Sequence, residues 1–160
     1  MSQRAGELSE RFINFNNEVI EFVENCSDED WEKVCSGENW PVGVVARHIG
    51  AGHYSAFGLA KMIVDSKQLP ELTNEAIDQG NAQHAEKHAN CTKDEVLGIL
   101  REKGSSVAEY VAGLDDADLD RTSNLSVAGG TISAQQFIEN IIINSGTEHL
   151  TNMKSATGLQ

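Results

Sequence analysis

The sequence predicts an all-α fold, a four-helix bundle occupying residues 1–160 as one domain. Apolar residues recur in steps of three and four along most of the chain, and no stretch alternates apolar with polar as a half-buried strand would. Only two prolines interrupt 160 residues, and capping sequences stand before several of the periodic runs.

The first run extends from about Gln3 to Cys26, where Leu8, Phe12, Phe15, Val19, Phe22 and Cys26 form one stripe. Ser27-Asp28-Glu29-Asp30 then offers an N-cap with acidic first-turn residues. A short extra helix carrying Trp31 and Val34 is expected to follow and to end at Ser36-Gly37. Pro41 suits the first position of a second long helix, because its missing N–H costs nothing there. That helix should reach about Ser66, with Val45, Ile49, Gly52, Ala56, Leu59 and Ile63 on its stripe. Gly50, Ala51, Gly52, Ala56 and Gly58 make it rich in small residues, which suits the close approach of a neighbouring backbone or a ligand.

After Pro70, a weakly apolar helix is expected from about Thr73 to Ala89, with Gly80 inside it. Thr92-Lys93-Asp94-Glu95 is a capping box and starts a fresh helix. Its stripe is Val96, Leu97, Leu100, Gly104, Val107, Val111 and Leu114. An acidic run from Asp115 to Asp118 and an irregular stretch with Gly129-Gly130 follow, forming either a loop or a small hairpin. Ser133-Ala134-Gln135-Gln136 is a second capping box and opens the last helix. Its expected core face is Phe137, Ile138, Ile141, Ile142, Ser145, His149 and Met153.

Composition narrows the function classes. With 25 Asp+Glu against 12 Lys+Arg the formal charge is −13, which repels phosphate backbones and anionic lipid and disfavours nucleic acid and membrane surfaces as partners. The three cysteines, Cys26, Cys35 and Cys91, contain no C-x-x-C pair and read as reduced thiols. The opening residues MSQRAGELSERF lack the apolar stretch of a signal peptide, and no apolar run is long enough to span a bilayer. A cytoplasmic protein is expected.

A helical bundle builds its sites from inward-facing polar side chains. His48 lies between Val44-Val45 and Gly52, and His149 follows Ile138, Ile142 and Ser145. A lone histidine on an apolar face is ordinarily a core residue bonded to a carbonyl. Two on different long helices point instead to a shared site, because imidazole is the commonest metal ligand. His53 points about 140° away from His48 on a straight α-helix, so it is assigned to the surface or a second site. His84 and His88 are spaced to grip an ion from one helix, but their helix is polar all round and reads as a solvated face. His84 stays a candidate because Ile77, Asn81 and His84 could line one inward edge. No G-x-S-x-G, Walker loop or H-E-x-x-H is present.

Three segments, in order and spacing, resemble the DinB-like superfamily, to which the N-terminal domain of mycothiol-dependent maleylpyruvate isomerase also belongs. They are Asn39-Trp40-Pro41-Val42-Gly43-Val44-Val45-Ala46-Arg47-His48-Ile49, Ile77-Asp78-Gln79-Gly80-Asn81-Ala82-Gln83-His84-Ala85, and Gly129-Gly130-Thr131-Ile132-Ser133-Ala134-Gln135-Gln136 leading to Glu148-His149-Leu150. The resemblance covers nearly the whole chain. It implies a four-helix bundle, often a homodimer, with zinc or nickel held by three residues at one end.

One implied ligand maps onto His48. The others come from H-x-x-x-H or E-x-x-x-H on the last helix, where this chain has Ser145-Gly146-Thr147-Glu148-His149. His149 matches the second position, while Ser145 stands at the first. Glu148 points about 100° from His149 and is no simple substitute. The third ligand would be His84 or the Asn144 amide oxygen; otherwise no metal is bound. Catalytic zinc ordinarily has three protein ligands and an open position.

Two principal functions follow. One is a metal-dependent enzyme, either a hydrolase or a thiol-dependent transferase or isomerase, with His48 and His149 on the ion and His84 as ligand or base. The other is a bundle that binds a small molecule without converting it, in a pocket lined by His48, Ser145, His149 and Trp40. In a third reading the chain is a dimeric interaction bundle whose histidines are satisfied core residues.

Overall fold

The computed structural model describes residues 2–160. The first stripe folds as expected: α1 spans Gln3–Asn25, capped by the Ser2 hydroxyl accepting from the Ala5 N–H. It buries Leu8, Phe12, Phe15, Val19 and Phe22. Ser27 and Asp30 form a capping box that starts α2 (Asp28–Glu32). Val34 is not in this short helix, as the sequence suggests, because the chain has already turned out. Val34–Cys35 (β1) pairs antiparallel with Trp40–Pro41 (β2). Asn39 stands in this reversal at φ 59°, a left-handed conformation that asparagine adopts more readily than most residues.

The second long helix starts at Val42, with Pro41 as its N-cap. It runs as α3 (Val42–His48), a π-helical turn π1 (Ile49–His53) and α4 (Tyr54–Val64). At the junction the Tyr54 N–H donates to the Ile49 carbonyl, five residues back. Small residues sit at this widened turn. A side chain at Gly50 would put its Cβ 2.8 Å from Ile99 Cγ2, so the glycine lets the neighbouring helix close in.

Thr73 caps α5 (Asn74–Lys87), none of whose residues is buried. Thr92 caps α6 (Lys93–Ala112). The acidic run is more ordered than a simple turn: Asp115 and Asp118 form a capping box on α7 (Asp116–Asp120). The irregular stretch is a hairpin, with β3 (Thr122–Leu125) antiparallel to β4 (Gly130–Ser133). Gly129 and Gly130 have φ of 88° and 132° in the connection, where a side chain would be strained.

Ser133 and Gln136 box the start of α8 (Ala134–Phe137), which continues through a second π segment, π2 (Ile138–Asn144), into α9 (Ser145–Thr157). The extra residue of a π turn changes the face that follows it. Ile143, Gly146 and Leu150 are buried here, while Ser145 and His149 are only half-buried.

The four bundle members are α1, α3–α4, α6 and α8–α9, with α5 on the flank. Helix α1 packs along α6, which also meets α3, π1 and α4. Helix α4 meets α8 and π2, α3 meets α9, and α9 returns to α1. Phe12, Ile49, Leu100, Phe137, Ile138 and Met153 fill the interior. One buried polar residue ties three of these elements together. Asn16 donates to the Leu100 carbonyl at 3.1 Å and accepts from the Tyr54 hydroxyl at 2.6 Å. The missing side chain of Gly104 gives Asn16 its space. Among the described residues no helix is long and apolar enough to cross a membrane, and all three cysteines are free.

Candidate metal centre

The π1 turn decides the geometry of the site. On a continuous α-helix, residues five apart lie on different faces. An i→i+5 turn brings them back to neighbouring positions, and the His48 and His53 rings lie with centroids 4.9 Å apart. Helix α9 delivers His149 to the same point, 5.2 Å from the His48 ring and 5.0 Å from the His53 ring. One ring nitrogen from each of His48, His53 and His149 lies within 4.8 Å of the others. The placement of His53 away from His48 therefore needs correction, because it assumed a regular helix.

Hydrogen-bond partners fix two of the three tautomers. His53 Nδ1 lies 2.7 Å from the Ile141 carbonyl, so that nitrogen carries the proton. His149 Nδ1 lies 3.1 Å from Glu38 Oε1, an acceptor-only carboxylate, so it too carries its proton. The Nε2 atoms are left facing each other at 3.1 Å. Two imidazole nitrogens on one tetrahedral zinc at about 2.0–2.1 Å would be about 3.3 Å apart, close to the spacing found.

Burial favours neutral rings. His48 is 8% exposed, and its pKa is pushed down to about 3, chiefly by desolvation and then by His53, His149 and His84. His53 is lowered to about 4 by burial, against the opposing hydrogen bond to Ile141. The His48 ring rests directly on Gly52, where a Cβ would lie 2.7 Å from its Nδ1.

Glu38 was not singled out from the sequence. It lies between the β1–β2 strands, where Oε1 also accepts from Asn152 Nδ2 at 2.5 Å. Its Oε2 is buried without a hydrogen-bond partner among the described residues. A carboxylate on the far nitrogen of a histidine fixes ring orientation and raises basicity, as is usual behind metal-bound imidazole. Its position just before Asn39-Trp40-Pro41 is the only sequence signal, and it is a weak one.

The histidines open into a cleft of ≈ 540 Å³ whose lining includes Trp40, Asp78, Asn81, Ser145 and Glu148. Trp40 stands edge-on to His48 at 5.3 Å. The Ser145 hydroxyl donates to the Asn140 carbonyl at 2.9 Å. Asn144 is exposed, bonds to Asn140, and does not line the cleft.

His84 lies one ring further out, 5.7 Å from His48 and 6.4 Å from Trp40, and outside the three-histidine group. Both of its ring nitrogens are buried without a hydrogen-bond partner among the described residues. Its pKa is lowered to about 4 by burial, then by Arg47 and His88. His88 packs against it at 5.2 Å. Among the described residues no cysteine lines the cleft.

A family model described as the DinB superfamily matches residues 13–143. The chain belongs to the DinB superfamily. The fold of this DinB protein is also that of YfiT from Bacillus subtilis, described as a probable metal-dependent hydrolase with an unusual four-helix bundle topology. That structure matches with a TM-score of 0.77 at 14% identity, over 100% of this chain and 91% of the other. At this identity the likeness concerns the fold. No curated protein matches the DinB chain.

Proposed function

We propose that this DinB protein is a metal-dependent hydrolase in which His48, His53 and His149 hold a single divalent ion, zinc or nickel. The observation that carries the reading is the facing pair of Nε2 atoms at 3.1 Å, with both Nδ1 atoms already engaged. Two lone pairs at that distance repel unless a cation lies between them. A proton can bridge two nitrogens, whereas here a third, from His48, converges as well. Three converging imidazoles and an open cleft match the donor set of a catalytic zinc site, and nickel also suits imidazole.

In this reading His53 takes the place left by Ser145. The resemblance expects a ligand at that position of α9; the π1 turn supplies one from the opposite helix. An ion held by these residues supplies Lewis acidity and a nucleophile derived from water near neutral pH. Glu38 keeps His149 in the tautomer that presents Nε2, and the Ile141 carbonyl does the same for His53. Hydrolysis needs only water beside the ion, whereas a thiol-dependent reaction needs a thiol brought in as well. The described fold of YfiT as a probable metal-dependent hydrolase is consistent with this choice.

The test is zinc stoichiometry in protein prepared without a histidine tag. One zinc per chain is expected in the wild type as prepared, with weakened retention in His48→Ala, His53→Ala and His149→Ala that added zinc restores, and full retention in His88→Ala. A folded wild type that takes up neither zinc nor nickel refutes the assignment.

A further inference from the structure

The three histidines border a second cavity of a different character. A chamber of ≈ 240 Å³ lies beside them, lined by Ala56, Leu59, Leu72, Leu125, Phe137 and Ile141. It shares His48, His53 and Asn81 with the polar cleft. A molecule lying across both spaces must therefore pass the histidine pair. Gly52 also borders the chamber. Its walls come from the π1 turn, α4, the segment after it, α5, the β3–β4 hairpin and the last helix, so elements outside the four-helix core help to line it.

Charge restricts the occupant further. No lysine or arginine lines either cavity, while Glu38, Asp78 and Glu148 line the cleft. A substrate carrying its own negative charge would meet three carboxylates and no side-chain cation. At roughly 30 Å³ per non-hydrogen atom the chamber holds about eight such atoms.

We infer that the substrate is an uncharged carbonyl compound, an ester or amide, whose apolar arm of up to about eight non-hydrogen atoms occupies this chamber while its carbonyl lies at the histidine cluster. The inference rests on the metal-dependent reading above. In hydrolysis, the oxygen of water bonds to the carbonyl carbon, the C–O or C–N bond breaks, one proton of water passes to the departing alcohol or amine, and the second leaves to solvent or to the amine as the acid ionises. The other product is a carboxylate, which the acidic cleft repels and helps to release.

The test uses zinc-loaded protein and a homologous series of straight-chain alkyl hydroxamates as probes, read by calorimetry, with zinc stoichiometry measured in the same samples. Affinity should rise roughly fourfold per methylene until the chamber is full, then level off. Ala56→Phe fills the chamber and should abolish the gain, with zinc content measured alongside to show that the histidine cluster is intact. Val127→Phe, at the partly exposed wall, is the second variant should the first fail to fold, and should also flatten the series. One zinc per chain with affinity independent of chain length overturns the inference and leaves the metal reading intact. Chain-length dependence unchanged in the folded variants overturns it as well. Absence of zinc uptake overturns both readings.

Discussion

Gly52 gives the sharpest local test, because its missing side chain is the floor under His48. In Gly52→Ala the new methyl would lie 2.7 Å from His48 Nδ1 and 2.9 Å from Cε1. The ring must retreat by roughly 0.5–0.7 Å, about the limit within which a ligand constellation still works. Retreat is opposed by Trp40 at 5.3 Å and His53 at 4.9 Å, both edge-on to the same ring.

Pushing the ring off its position should cost on the order of what loss of an outer-shell partner costs, about 10–100-fold in affinity, or about 1.4–2.7 kcal/mol. Alanine in a helix is itself favoured over glycine by about 1 kcal/mol, so the fold should survive. The assay is competition for zinc against a chelator, with urea unfolding of the metal-free protein alongside. Weaker zinc binding at near-unchanged metal-free stability is expected. Wild-type zinc affinity in the folded variant would refute the role given to Gly52 and the position of His48 in the site.

Glu38→Gln removes the charge behind His149 while keeping its shape, and zinc affinity should fall about tenfold in the same competition assay; no change would exclude Glu38 from the site. Tyr54→Phe leaves Asn16 Oδ1 without its 2.6 Å partner in the core, and urea unfolding should show a loss of about 1–3 kcal/mol, against no loss if the bond is unimportant. The metal-free protein should lose stability on acidification. The folded-state pKa values of His48, His53 and His84 lie below the ordinary 6.5, so the unfolded chain binds more protons. Stability contributed by these neutral rings is full above about pH 6.5 and falls as pH drops through about 4 toward about 3, where His48 is the last of the three to charge. Urea midpoints measured across that window should show a shallower slope in His48→Asn, and an equal slope would contradict the assignment.

Much of the fold was legible because its signals are local. The stripes of α1 and α6, the N-cap at Ser27, the capping box at Ser133 and the glycines of the hairpin each act over a few residues. His48 and His149 were legible for the same reason, as polar residues beside apolar stripes. What escaped was the change of helical period. Ile49–His53 and Ile138–Asn144 look helical in sequence, but a π turn is stabilised by packing that single-helix periodicity does not report. A regular α-helix rotates His53 away from His48, and a regular pattern after Ile138 puts Ser145 on the core face, where Gly146 is the buried residue. The cluster Gly50-Ala51-Gly52 was the available hint that this helix departs from regularity. Glu38 escaped because its position depends on the β1–β2 reversal, which brings it to a helix 111 residues away. Helix α5 was expected to be weakly apolar, and it contributes no whole residue to the core, although it brings the His84 ring nitrogens out of solvent.

Zinc-edge X-ray absorption on the loaded protein tests the central claim most directly, because it counts imidazole ligands. Scattering from three imidazoles, falling to two in His53→Ala, is the expected result. Two imidazoles in the wild type, unchanged by His53→Ala, would contradict the assignment of His53 and the role given to the π turn.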